Sequence, residues 1–296
     1  MRLFFYNCII LILLPILIIR LVIKSLKDKD YLKNFSNRLG LYSEKSYSNV
    51  IWFHAVSLGE VISSQIIVKE LLEDYKVVLS VSTATGLREA KKIYGQKLFV
   101  VYAPWDSIIF INSFLNKFRP KALILFETEI WPSMIHACWK NKIPVILSNA
   151  RLSESSYKKY NLVKLFINKT LNEFSLILAQ SYEHVTRFKA LGVNDNIIFK
   201  VGSSKFDLES NNEFESQDFI LSHDFILAAS THKGEDELII SSYLKLKEEF
   251  KDLKLIIVPR HPERANSIEE ILKDHKINFK TSSDFKFGLK KNDVAI

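Results

Sequence analysis

Nine short apolar runs, at residues 50–55, 76–81, 98–102, 122–126, 143–148, 176–179, 197–201, 225–229 and 255–258, punctuate the chain, and helix-like patterning fills most of the gaps between them. Strands covered on both faces read as continuous apolar runs, and their alternation with helical segments is the pattern of a parallel sheet clothed in helices. A stretch rich in Ser, Asn and acidic residues, 203–218, separates the first seven runs from the last two and reads as a linker. The expected fold class is therefore α/β, with two doubly wound, Rossmann-like domains at residues 50–202 and 219–296. Two strands are too few for a doubly wound half, so the second domain reads as incomplete and the chain as truncated at its carboxyl end. Residues 292–296 look like the entry into another strand.

Residues with chemical capability gather just after these runs. His54, Ser57, Gly59 and Glu60 follow the first, Thr83, Thr85 and Gly86 the second, and Glu127, Thr128 and Glu129 the fourth. Asn149 and Arg151 follow the fifth, Gln180 the sixth, and a Gly-Ser-Ser-Lys turn ending at Lys205 the seventh. In the second domain Ser230, Thr231, His232, Gly234 and Glu235 follow one run, and Pro259, Arg260, His261 and Arg264 follow the other. Open parallel sheets bind ligands beyond the carboxyl ends of their strands, so each domain is expected to present these groups on one rim, the two rims facing a cleft.

Residues 3–19 are almost wholly apolar and residues 21–23 extend the run, reaching the roughly 20 residues a helix needs to span a bilayer. No small-residue cleavage site follows, which predicts an uncleaved anchor over residues 1–24 and a polar tether over 25–49. Arg20, Lys24, Lys27, Lys29, Lys33 and Arg38 follow the run while only Arg2 precedes it, which predicts a single pass with the body in the cytoplasm. Asn7, Pro15 and Arg20 interrupt the run, and the alternative is an amphipathic helix packed on the body. The remainder is ordinary globular material, 25% charged with 21 Phe against 8 Gly, which argues against disorder. A net charge of +8 suits an anionic partner, but no recognition motif or interleaved basic and aromatic patch points to nucleic acid. With Cys8 and Cys138 the sole cysteines there is no disulfide framework, and no carboxylate-histidine pattern around His232 and His261 suggests a metal.

Seven segments in order, HAVSLGE (54–60), FETEIWP (126–132), SNARLSESSY (148–157), AQSYEHVTRFKALG (179–192), SSKFD (203–207), ASTHKGE (229–235) and VPRHPER (258–264), resemble the motif series of the 3-deoxy-D-manno-octulosonic acid (Kdo) transferases. The resemblance runs from the apolar segment to Arg264. It implies a GT-B fold, CMP-Kdo as donor, a lipid A precursor as acceptor in lipopolysaccharide synthesis, residence at the inner membrane, and no metal or redox cofactor. Ser203-Ser204 stands where the family usually has an asparagine-containing turn, and the family continues beyond the point where this chain ends. Two other readings share the fold: a nucleotide-sugar epimerase, and a membrane-associated binding protein that retains the fold without catalysis.

Glycosyl transfer needs a base for the acceptor hydroxyl, an electrophilic sugar carbon, and stabilisation of the departing phosphate. The matching glutamate of the family is the proposed base, which implies that role for Glu60; on its own, a glutamate at this position would be read as a helix cap. Glu127 and Glu129, one residue apart, are candidates to hold the acceptor or offset positive charge, and the family pattern favours Glu129. His54, Ser57, Gly59, Thr83, Thr85, Asn149 and Arg151 complete the acceptor-side candidates. Lys205 is a candidate for the leaving phosphate or the Kdo carboxylate, and Ser230, Thr231, Glu235, Pro259, Arg260 and His261 are the candidates for holding the donor.

Overall fold

A computed structural model describes residues 2–43, 48–204, 224–281 and 294–296. The chain divides into two compact units, Met1–Glu209 and Ser210–Ile296. Unit one opens with helix α1 (Arg2–Lys27) and then builds a seven-stranded sheet from β1 (Val50–His54), β2 (Val77–Val81), β3 (Phe99–Tyr102), β4 (Pro120–Phe126), β5 (Val145–Ala150), β6 (Leu176–Ala179) and β7 (Ile198–Lys200). Every pairing is parallel and the order is β3-β2-β1-β4-β5-β6-β7. Each of the seven apolar runs read from the sequence is a strand here.

Parallel strands need crossovers, and this chain supplies helices: α2 (Leu58–Ser63), α3 (Gln65–Asp74), α4 (Ala84–Tyr94), α5 (Ile108–Phe118), α6 (Pro132–Lys140), α7 (Glu154–Leu162), α8 (Lys164–Leu171) and α9 (Tyr182–Ala190). β1 and β2 are buried along their whole length, which is why they show no alternation. One core face is aromatic, with Trp52 stacked on Phe114 at 3.9 Å between ring centres and Tyr42 edge-on to Phe114 and Phe118. The helical segment after β1 starts at Leu58 and breaks at Ser64, whose hydroxyl donates to the carbonyl of Val61 at 3.2 Å. A serine hydroxyl that binds back to a helical carbonyl competes with the backbone ladder.

Unit two is a four-stranded parallel sheet of order β10-β11-β9-β8, made from β8 (Phe225–Thr231), β9 (Lys254–Pro259), β10 (Phe279–Lys280) and β11 (Val294–Ala295). Helices α10 (Asp236–Glu249) and α11 (Ala265–Asp274) pack on it through Ile240, Tyr243, Ile268 and Leu272. The strand entry expected near residue 292 is β11, seated between β9 and β10. The two-residue β10 has no counterpart in the sequence reading.

Candidate active site

The strand order reverses between β1 and β4, and at such a switch point two connections leave the sheet in opposite directions and open a crevice at its carboxyl edge. The segments leaving these two strands carry Glu60 on one side and Glu127 and Glu129 on the other.

Glu60 sits in the first turn of α2, whose N-cap is Ser57. Its carboxylate accepts from the Val56 backbone N–H at 2.7 Å and from the Ser57 hydroxyl at 2.9 Å, while Ser57 Oγ accepts from the Glu60 N–H at 3.5 Å. Ser57 caps the helix and Glu60 closes the turn onto the N–H of the residue before the cap, a variant of the capping box, so the helix-cap reading of Glu60 holds structurally. The donors and the positive end of α2 favour the ionised form.

Glu129 has the opposite environment. Its pKa is pushed up to about 7, first by desolvation, then by the charge of Glu60 and in smaller part by that of Glu127, against a bond from Trp131 Nε1 at 2.6 Å that favours the carboxylate. Glu129 thus feels the charge of Glu60, and near neutral pH it holds its proton part of the time. Glu127 takes a left-handed backbone at φ 65°, and Asn149 at the end of β5 does the same at φ 53°. Left-handed backbone is costly for a side chain such as glutamate and gathers at functional sites.

Asn149 is buried, receives the Ser204 N–H on Oδ1 at 3.3 Å and the Gln180 side chain on its carbonyl at 3.0 Å, and keeps its Nδ2 donor unmatched among the described residues. Ser204 reaches the carbonyl of Ser63 in α2 at 3.4 Å, so the end of unit one's last turn lies beside the Glu60 helix. Lys205 lies outside the described residues. Thr83 caps α4 by accepting from the Gly86 N–H at 3.1 Å, with Thr85 bonded to it at 3.4 Å. A Cβ at Gly86 would come within 2.9 Å of Thr83 Oγ1 and 3.2 Å of the Ser57 carbonyl carbon, so glycine is what lets the α2 and α4 amino ends meet. Gly59 has open space around its Cβ position and is exposed. Arg151 is exposed, and its carbonyl accepts from the Thr128 hydroxyl.

His54 plays a different part from the one its position suggests. It is wholly buried, its Nδ1 lies 2.8 Å from Ser80 Oγ and 3.1 Å from the Ser80 carbonyl, and burial pushes its pKa down to about 4. It is neutral at physiological pH and ties β1 to β2. Asp106 escaped the sequence reading. It is buried and accepts from the N–H groups of Ser133 and Met134 at 3.1 and 2.8 Å, capping α6 from outside the helix. The readable signal was indirect: Trp131-Pro132 opens a helix with no side-chain cap of its own.

At the end of β8 in unit two, Ser230 has a left-handed backbone at φ 61° and a bulge separates Ala229 from Thr231. Thr231 is buried with its hydroxyl unmatched among the described residues. Glu235 accepts from the His232 N–H at 2.6 Å and so closes the turn before α10. Arg264 pairs with the buried Asp236 and donates to the Thr231 carbonyl at 2.6 Å, whereas Arg260 and His261 after Pro259 are exposed. The described residues contain no cluster of His, Cys, Asp and Glu able to hold a metal.

Residues 33–208 match the family model described as 3-deoxy-D-manno-octulosonic-acid transferase (kdotransferase). The chain is 34% identical over 287 residues to a 3-deoxy-D-manno-octulosonic acid transferase of Haemophilus influenzae, covering 93% of this chain and 67% of that protein. It is 32% identical over 265 residues to a Rickettsia felis protein of the same name, covering 86% of this chain and 56% of the relative. The chain thus spans between about half and two thirds of the length of these relatives. A crystal structure of UDP-N-acetylglucosamine 2-epimerase superposes with a TM-score of 0.58 at 14% identity over 84% of this chain and 68% of that one. A likeness at that identity speaks to the GT-B-like fold alone.

Proposed function

From the premise that this chain belongs to the 3-deoxy-D-manno-octulosonic-acid transferase family, we propose that it moves Kdo from CMP-Kdo to a lipid A precursor at the cytoplasmic face of the inner membrane, with Glu60 as general base. The observation that carries the assignment of roles is the unequal carboxyl pair at the β1/β4 switch point. Only an ionised carboxylate can take a proton, and the two donors to Glu60 favour that form. As the acceptor hydroxyl oxygen bonds to the anomeric carbon of Kdo, its proton passes to Glu60. The bond from that carbon to the phosphate oxygen breaks, and CMP leaves with the electron pair. Glu129 supports the step as a carboxyl whose pKa near 7 lets it share a proton with the acceptor sugar or, once ionised, face an oxocarbenium-like carbon. Thr83 and Asn149 supply hydrogen bonds to the acceptor.

In unit two the left-handed turn at Ser230, the unmatched Thr231 hydroxyl and the exposed Arg260 and His261 support a phosphate and carboxylate site for the donor. The epimerase likeness is one of fold, and the family membership favours transfer. Incubation of the chain in phospholipid vesicles with CMP-Kdo and a tetra-acylated lipid A precursor tests the proposal. The expected result is a lipid heavier by a Kdo unit with release of CMP in equal amount. Turnover of neither substrate would overturn it.

A further inference from the structure

Helix α1 is long and apolar enough to cross a membrane, and hydropathy alone predicts a single pass. Its burial pattern describes something else. The less exposed positions are Leu3, Tyr6, Asn7, Cys8, Ile10, Leu14, Leu17, Ile18, Leu21 and Ser25, which recur at steps of mostly three or four residues, with Leu21 at 7% exposure. The opposite stripe, Phe5, Ile9, Ile12, Ile16, Ile19, Ile23 and Leu26, is exposed throughout. One face of the helix is therefore partly covered at positions from Leu3 to Ser25, about 33 Å at 1.5 Å per residue, with Leu21 and Ser25 buried, while the other face is apolar and open.

Polar bonds hold the docked face. Tyr6 donates to Asp106 at 2.7 Å, Asn7 donates to Ser133 Oγ at 3.1 Å, and Asn7 Oδ1 accepts from the Ile108 N–H at 2.8 Å. The Tyr6 ring also packs against Phe166, with ring centres 5.8 Å apart. Asn7, which spoils the sequence as a spanning helix, is thus a docking residue. At the amino end Leu3 lines a cavity of about 400 Å³ together with His136, Lys169 and Glu173. If α1 crossed the bilayer, this end would sit a full hydrocarbon thickness, roughly 30 Å, from the cytoplasmic interface, and these charged neighbours would be carried with it.

We infer that α1 lies in the plane of the membrane, clamped to the body by Tyr6, Asn7 and Asp106, and that its open face, continued by Ile109 and Leu165, seats on one leaflet of an anionic phospholipid bilayer. Both residues stand at the borders of the docked seam: Ile109, 63% exposed, lines a cavity with the exposed Phe4 and Leu11 as well as Asn7, and Leu165, 76% exposed, lines another with Leu3 of the docked face. The occupant follows from charge. Arg20, Lys24 and Lys27 are exposed on or beside this face, the arrangement of an interfacial helix that meets anionic headgroups. The proposal rests on membrane attachment as given under Proposed function and is independent of the reaction catalysed.

The amino terminus decides between the two topologies. In the full chain with Cys8→Ser and Cys138→Ala, a cysteine placed directly after Met1 is treated with a membrane-impermeant maleimide in intact spheroplasts and again after lysis. An in-plane helix keeps the terminus cytoplasmic, so labelling appears only on lysis. Equal labelling of intact spheroplasts, or recovery of the chain in the soluble fraction, overturns the proposal. In a second arm Ile109→Cys carries a nitrobenzoxadiazole fluorophore. Its emission shifts to the blue and rises severalfold with phosphatidylglycerol vesicles and less with phosphatidylcholine alone, whereas an unchanged spectrum overturns the docking face. Kdo transfer measured on the same samples separates a wrong topology from a wrong function: a labelled terminus with intact transfer sinks only the in-plane helix.

Discussion

Glu60 and Glu129 are both glutamates on the carboxyl edge of one sheet, yet the fold gives them opposite surroundings. Two donors and a helix amino end face Glu60, while burial and its neighbours lift Glu129 to about 7. The shift has a sign that can be measured. The folded pKa of Glu129 lies above its value of 4.5 in an unfolded chain, so its contribution to stability is fully present below about pH 4.5 and is lost as pH rises through 7. Glu129→Gln removes that loss, and its melting temperature relative to wild type should climb between about pH 5 and pH 8. Thermal melts across this range check it, and a difference that does not change with pH would mean a solvated Glu129. At this scale the sequence was legible in part. The position of Glu60 at a helix start announced a cap, and the Glu-Thr-Glu run announced two nearby carboxyls. What could not be read was the left-handed backbone of Glu127 or the burial of His54, because both are imposed by partners distant in sequence.

Among the elements, α6 shows how a long-range contact replaces a local signal. Its start has Pro132 but no capping side chain, and Asp106 reaches in from 27 residues away to satisfy the Ser133 and Met134 N–H groups. The same carboxyl receives Tyr6 of α1, so the helix cap and the docking of α1 share a residue. Asp106→Ala should cost about 2–4 kcal/mol, since it strands two buried donors, and Asp106→Asn, which keeps an acceptor oxygen, should cost less. Urea denaturation of the three proteins gives the comparison, and equal stabilities would show that solvent satisfies those donors. The strands were legible because burial on both faces writes an uninterrupted apolar run, as in Val77–Val81. β10 was not, because two residues, Phe279 and Lys280, are too few to make any pattern.

For the molecule as a whole, two parallel units were foreseeable from the alternation of runs, as was the strand that closes the described residues. The contact of α1 with the body was read only as the alternative to a spanning anchor, since hydropathy counts apolar residues without saying which face of a helix the body covers. Unit two is proposed to hold the donor, and Arg260→Ala should weaken CMP binding, most of all at low salt, where attraction between exposed charges is least screened. Calorimetric titration at two ionic strengths tests this, and an affinity unaffected in both would remove Arg260 from the donor site. The central claim, that the switch-point carboxyl pair performs the transfer with Glu60 as base, is met most directly by single-turnover Kdo transfer with Glu60→Gln beside its thermal melt. The amide can still accept from Val56 and close the cap but cannot take a proton, so the rate should fall by about a hundredfold to ten-thousandfold with the melting temperature near wild type. A variant that transfers Kdo at close to the wild-type rate, or one that loses its fold while the surviving molecules keep that rate, would contradict the account.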